Sequence, residues 1–159
     1  MVFELVTTRN CNLNCKYCFE VKKNHEFMNE SMIPNIISFI EEYKKRKLVS
    51  DSRHIQVDFN GGETLLNKNF IIKFIELTKN MNYSYTITTN GILIDDDIID
   101  LINDNDIFLQ ISLDGIKDCH DENRIFHDNR GSFDIVYSQL KRLQEKCDRT
   151  CFNIASVIT

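Results

Sequence analysis

The chain has 159 residues, 42% of them apolar, and a formal net charge of −5. That length and apolar content suffice for one folded domain with a substantial core, and the negative balance lacks the basic footprint of a general nucleic-acid binder. No apolar stretch approaches the roughly 18 to 20 residues that cross a bilayer, and residues 1–6 carry neither the basic flank nor the cleavage pattern of a secretory signal, so no membrane association and a cytoplasmic location are expected.

Short runs rich in Ile, Val, Phe and Thr alternate with longer stretches of helical period, which is the sequence form of repeated βα units around a parallel sheet. The first strand is predicted over residues 2–8. A helix follows, with Ile33, Ile36, Ile37, Ile40 and Tyr43 on one stripe, Ser31 as its cap and Pro34 tolerated in its first turn. Lys44, Lys45, Arg46 and Lys47 close it, where cations complement the negative end of a helix dipole. The second strand is predicted over 54–60, and the second helix, after Asn67, carries Phe70, Ile71, Phe74, Ile75 and Leu77. The third strand covers 84–89. Asp95, Asp96 and Asp97 then open a helix with Ile98, Ile99, Leu101 and Ile102 on its apolar side. A strand over 107–113 precedes a fourth helix whose core face is Phe133, Val136, Tyr137, Leu140 and Leu143, and a fifth strand over 152–158 ends the chain. The strands read as near-continuous apolar runs, the pattern of a sheet covered on both faces. A fifth strand with no helix after it leaves an open edge, so a truncated product or fragment is expected.

Four motifs fall just after strands. Cys11, Cys15 and Cys18 follow the first, Asn60-Gly61-Gly62-Glu63 the second, Thr89-Asn90-Gly91 the third and Ser112-Leu113-Asp114-Gly115 the fourth. In parallel βα architectures the loops at the carboxyl ends of strands converge on one rim, so these segments should share one site. Three thiolates can hold three irons of a 4Fe-4S cube and leave the fourth without a protein ligand, an open position at which chemistry can occur. The competing reading is a zinc site of the three cysteines with His25. Cys119, Cys147 and Cys151 are scattered and read as small, partly buried hydrophobes. His120 and Asp121 are adjacent and read as structural, because neighbouring residues do not share a helix face.

The Cys-x3-Cys-x2-Cys spacing with Tyr17 before the last cysteine, Gly-Gly-Glu after the next strand, and then Ser112-Leu113-Asp114-Gly115, His120-Asp121-Glu122-Asn123-Arg124 and Gly131-Ser132-Phe133 resemble the radical S-adenosylmethionine (SAM) superfamily. The likeness runs through nearly the whole chain and is to the branch of anaerobic sulfatase-maturating enzymes and peptide-modifying maturases of the SPASM type. It implies an α/β fold, a partial parallel (β/α)6 barrel cut off after about the fifth strand, so that residues 1–159 form a single, C-terminally incomplete core domain. It further implies a 4Fe-4S cluster on Cys11, Cys15 and Cys18, with SAM chelating the fourth iron. Reductive cleavage of SAM would give a 5'-deoxyadenosyl radical that removes hydrogen from a peptide or protein substrate, with a reducing electron donor as the other partner. By the same resemblance the Gly61-Gly62-Glu63 loop meets the SAM ammonium, Asn60 and Ser112 hydrogen-bond the cofactor, Arg124 meets its carboxylate, and Tyr17 borders the adenine. Asn90 and Asp114 are read as cofactor-binding too, with plain turn formation as their other reading. Thr64 stands where the family commonly has proline, which relaxes the loop but removes no ligand. The sixth strand and the auxiliary clusters of that branch have no counterpart here, so a catalytically silent remnant is the competing functional reading.

Overall fold

The computed structural model describes residues 1–20, 23–46 and 54–157. Within these residues five strands, β1 (Val2–Thr8), β2 (Ile55–Gly61), β3 (Tyr83–Thr89), β4 (Ile107–Ser112) and β5 (Phe152–Ala155), lie side by side in chain order. Every pairing is parallel, and β1 and β5 are the two edges of an open sheet. Among the described residues five helices accompany them: α1 (Ile33–Arg46), α2 (Lys68–Thr78), α3 (Asp96–Asp104), α4 (Lys117–Asn123) and α5 (Phe133–Lys146). No helix among the described residues is long and apolar enough to cross a membrane.

The sheet is covered differently from the expectation. Along β2, β3 and β4 burial alternates residue by residue: Ile55, Val57, Phe59, Tyr83, Tyr85, Ile87, Ile107, Leu109 and Ile111 are buried, and the residues between them are half-buried. One face therefore packs in the core, and the other carries Gln56, Asp58, Ser84, Thr86 and Gln110 in adjacent register. The apolar runs were broken at every second position by polar side chains, the period of a strand with one covered face. Against the covered face α2 buries Phe70, Ile71, Phe74 and Ile75, with Phe59 and Phe74 edge to face at 5.5 Å. Leu77 and Tyr137, expected in the core, are exposed; Tyr137 stacks on Phe133 at 5.5 Å instead.

Local capping also departs in part. Asn29, not Ser31, is the cap: its side chain accepts the Ser31 N–H at 2.9 Å and starts a short 3-10 turn that leads into α1. Asn67 occupies the N-cap position of α2 without a side-chain capping bond; its amide donates to the carbonyls of Thr7 at 3.1 Å and Met28 at 3.0 Å, tying α2 to β1. Asp95 caps α3 by accepting the Ile98 N–H at 3.1 Å, in line with the acidic run. Helix α4 was not predicted, because within it only His120 is buried and no apolar stripe marks it. The fifth strand ends at Ala155, and Lys47 and Ile158, part of the predicted first helix end and fifth strand, lie outside the described residues.

Candidate functional site

The loops that follow β1 to β5 surround one cavity of about 350 Å³ at the carboxyl ends of the strands. Cys11, Cys15, Cys18, Tyr17, Asn60, Gly61, Gly62, Asn90, Ser112 and Arg124 all line it. Of the predicted site residues only Glu63 and Asp114 do not.

The cysteine loop leaves β1 and is held on both sides. Within it, Asn10 Oδ1 accepts the Cys11 N–H at 3.0 Å and Cys11 Sγ accepts the Leu13 N–H at 3.4 Å. The Cys18 N–H closes a turn on the Cys15 carbonyl at 3.1 Å. On one flank the N–H groups of Asn14 and Lys16 donate to the carbonyls of Ile125 and Asn123, at 2.7 and 3.0 Å. On the other flank the N–H groups of Gly62 and Glu63 donate to Thr8 and Asn10, at 2.9 and 2.8 Å. The glycines are explained by this second seam. A Cβ on Gly62 would lie 2.7 Å from the Arg9 carbonyl oxygen and closer still to that of Asn10, so the two backbones can meet only if position 62 has no side chain.

Glu63 is 1% exposed and sits behind the cavity wall. Its Oε1 accepts the Leu65 N–H at 3.0 Å and the Thr89 hydroxyl at 2.7 Å, and its Oε2 accepts the Asn90 N–H at 2.7 Å. Burial pushes its carboxyl pKa up, opposed by those donors. Glu63 thus links the loops after β2 and β3. Asn90 is fixed from both ends, its Nδ2 donating to Asn12 Oδ1 at 2.7 Å and its Oδ1 accepting the Ile92 N–H at 3.1 Å.

Asp114 is 6% exposed and Arg124 8%, and they pair through Arg124 Nε at 2.9 Å. The Tyr17 hydroxyl donates to the same carboxylate, and the Arg124 guanidinium lies 5.3 Å over the Tyr17 ring. Burial alone would raise the Asp114 pKa, but the donors from Arg124, Tyr17 and Val157 outweigh it and hold the group ionised. Within the chain, Arg124 therefore meets the carboxylate of Asp114. His120, fully buried, accepts the Asp114 N–H on Nδ1 at 3.2 Å, which leaves Nε2 to donate to Ser132 Oγ at 2.9 Å; Ser132 in turn donates to the Arg124 carbonyl at 2.8 Å. Sequence reading assigned His120 to structure but had no signal for this chain of bonds.

The three thiols suit a cluster better than a single ion. Among the described residues no three His, Cys, Asp or Glu side chains converge on one metal position, which is what a zinc site with His25 would need. A cube takes each thiolate on a separate iron, and three free thiols on one cavity wall provide that donor set. Burial pushes the Cys11 thiol up to about 11 and raises Cys15 as well, so iron must displace protons on binding.

Known proteins resemble this chain in both sequence and fold. Residues 5–158 match the Radical SAM superfamily. The chain is 32% identical to a cysteine-type anaerobic sulfatase-maturating enzyme of Clostridium novyi, over 94% of this chain and 41% of that enzyme. It is 29% identical to the radical SAM cyclopropyl synthase TigE of Paramaledivibacter caminithermalis, over 94% of this chain and 34% of the relative. The solved structure of native anSMEcpe with bound AdoMet and Cp18Cys peptide superposes with a TM-score of 0.80 at 26% identity, covering 100% of this chain and 43% of that one. The chain thus spans about two fifths or less of the length of these relatives.

Proposed function

The chain belongs to the radical SAM superfamily, and from that membership we propose that it is the core of an enzyme that starts radical chemistry on a peptide or protein. The family uses a 4Fe-4S cluster, and in this reading Cys11, Cys15 and Cys18 hold it while Asn60, Gly61, Gly62, Asn90, Ser112, Tyr17 and Arg124 surround SAM. The observation that carries the reading is the convergence of three free thiols and the loops after four strands on a single cavity. When bound, the cluster and SAM supply the homolytic chemistry, with an electron from an external low-potential donor.

The chain's own residues bind and orient. Gly61 and Gly62 line the cavity, and their lack of side chains lets this wall pack directly on the backbone of residues 8–10. Asn60 donates its Nδ2 to Glu4 Oε1 at 2.9 Å, and since a carboxylate only accepts, the amide oxygen of Asn60 is left to accept from a ligand. Asp114 neutralises Arg124, so the cavity wall offers a guanidinium edge without a full unmatched charge. The peptide class rests on the relatives, one named for maturing sulfatases and one solved with a peptide.

The test is anaerobic: reconstitute with iron and sulfide, reduce, add SAM, and quantify 5'-deoxyadenosine. Turnover supports an enzyme core. A cluster that binds SAM without cleaving it makes this chain a silent remnant, and a colourless protein holding one zinc removes the proposal altogether.

A further inference from the structure

Asp114 does not line the cavity, yet among the described residues each side chain or N–H that donates to its carboxylate belongs to a residue that does: Tyr17, Arg124 and Val157. These three come from different walls. Tyr17 stands between Cys15 and Cys18 on the loop after β1, Arg124 follows α4, and Val157 follows β5. Arg124 contributes Nε at 2.9 Å and Nη2 at 3.3 Å, and Val157 its backbone N–H at 3.0 Å.

Resting on the reading above, we infer that Asp114 is a positioning residue that sets the cofactor cavity from behind, fixing the turn between the second and third cysteines relative to Arg124 and the segment after β5. A buried carboxylate is suited to this because it only accepts, so every group around it must present a donor, and the arrangement has one solution. The site is itself anchored. The Asp114 N–H is held by His120, and the His120–Ser132 pair reaches the Arg124 carbonyl, so the acid and its guanidinium partner share one buried frame. The Tyr17 ring, held by its hydroxyl at one end and covered by Arg124 on one side, keeps its remaining surface on the cavity.

Asp114→Asn tests this, since it keeps the shape but puts an NH2 among donors and leaves Arg124 unmatched. The full chain, reconstituted anaerobically, is titrated with S-adenosylhomocysteine by calorimetry, and the reduced cluster is examined by electron paramagnetic resonance. Asp114→Asn is expected to keep its iron but bind the probe about tenfold more weakly or worse, with shifted g-values, as the orientation from a charge-assisted hydrogen bond is lost. Tyr17→Phe, which removes one donor and little volume, should shift the same signals less and fold even if Asp114→Asn does not. Thr78→Val is the stability control: it deletes a buried hydroxyl bonded to Tyr85 at 2.7 Å, away from the cavity, and should lower the melting point without moving affinity or g-values. Wild-type affinity and g-values in both site variants, or equal shifts in Thr78→Val, overturn the inference alone. Failure of the wild type to bind cluster or probe overturns the proposed function instead.

Discussion

Replacing Gly62 with alanine should pull the cysteine loop away from the sheet. The new Cβ would fall 2.7 Å from the Arg9 carbonyl oxygen and 2.9 Å from the Asn10 carbonyl carbon, and both are backbone, so no rotamer change relieves the clash. Relief requires the loop to move, at a cost of about 1 to 3 kcal/mol for overpacking. Movement also breaks the bonds from Gly62 to Thr8 and from Glu63 to Asn10, worth about 1 kcal/mol each. The expected loss is therefore about 3 to 5 kcal/mol, read from urea denaturation of the metal-free protein, together with a lower iron content after reconstitution. Gly115→Ala is the comparison, because at φ +70 it has nothing within 4 Å of an added Cβ and only backbone strain to bear, about 1 to 2 kcal/mol. If Gly62→Ala matched Gly115→Ala in stability and took up iron like the wild type, the seam between the glycines and the cysteine loop would not be what positions the thiols.

Cys15→Ala should leave the unfolding midpoint of the metal-free protein nearly unchanged, since the side chain is only partly buried in a loop, yet the variant should fail to assemble a cube by iron and sulfide analysis. Phe59→Ala, at a fully buried site against Phe74, should cost about 3 to 5 kcal/mol in denaturant titration. Burial, and then the charge of Arg124, hold the His120 pKa below its ordinary value of 6.5. Its contribution to stability is thus whole above that value and declines as pH falls from it toward the folded pKa, by up to about 1.4 kcal/mol per pH unit. His120→Asn should lack that part of the acid dependence when unfolding free energies of the two proteins are compared from pH 7 to 5; parallel curves would contradict a buried neutral imidazole.

The strands and the four longer helices were legible because apolar residues recur at periods the backbone enforces, and the cysteine spacing with the motifs after β2, β3 and β4 was enough to gather one site. What the sequence could not show is which partner a polar side chain chooses. Glu63 and Asp114 each sit in a motif at the rim, and both turn away from the cavity because backbone and side-chain donors of neighbouring loops reach them first. Arg124 was expected to meet the carboxylate of SAM, and its partner within the chain, Asp114 ten residues away, carried no signal in the sequence. Helix α4 escaped because seven residues with one buried imidazole have no hydrophobic period. The half-open sheet was missed for the opposite reason: Ile, Val and Phe drew attention to apolar content, while the alternation with Gln56, Asp58 and Asn60 carried the information about which face is covered.

The proposed function requires a cube with one iron that no protein thiolate holds, and Mössbauer spectroscopy of the anaerobically reconstituted, iron-57-labelled chain addresses it directly. Three irons bound by Cys11, Cys15 and Cys18 and one without a protein thiolate predict a single distinct site in each cube whose parameters change when SAM is added. Four irons that do not respond to SAM, or no cube at all, would contradict it.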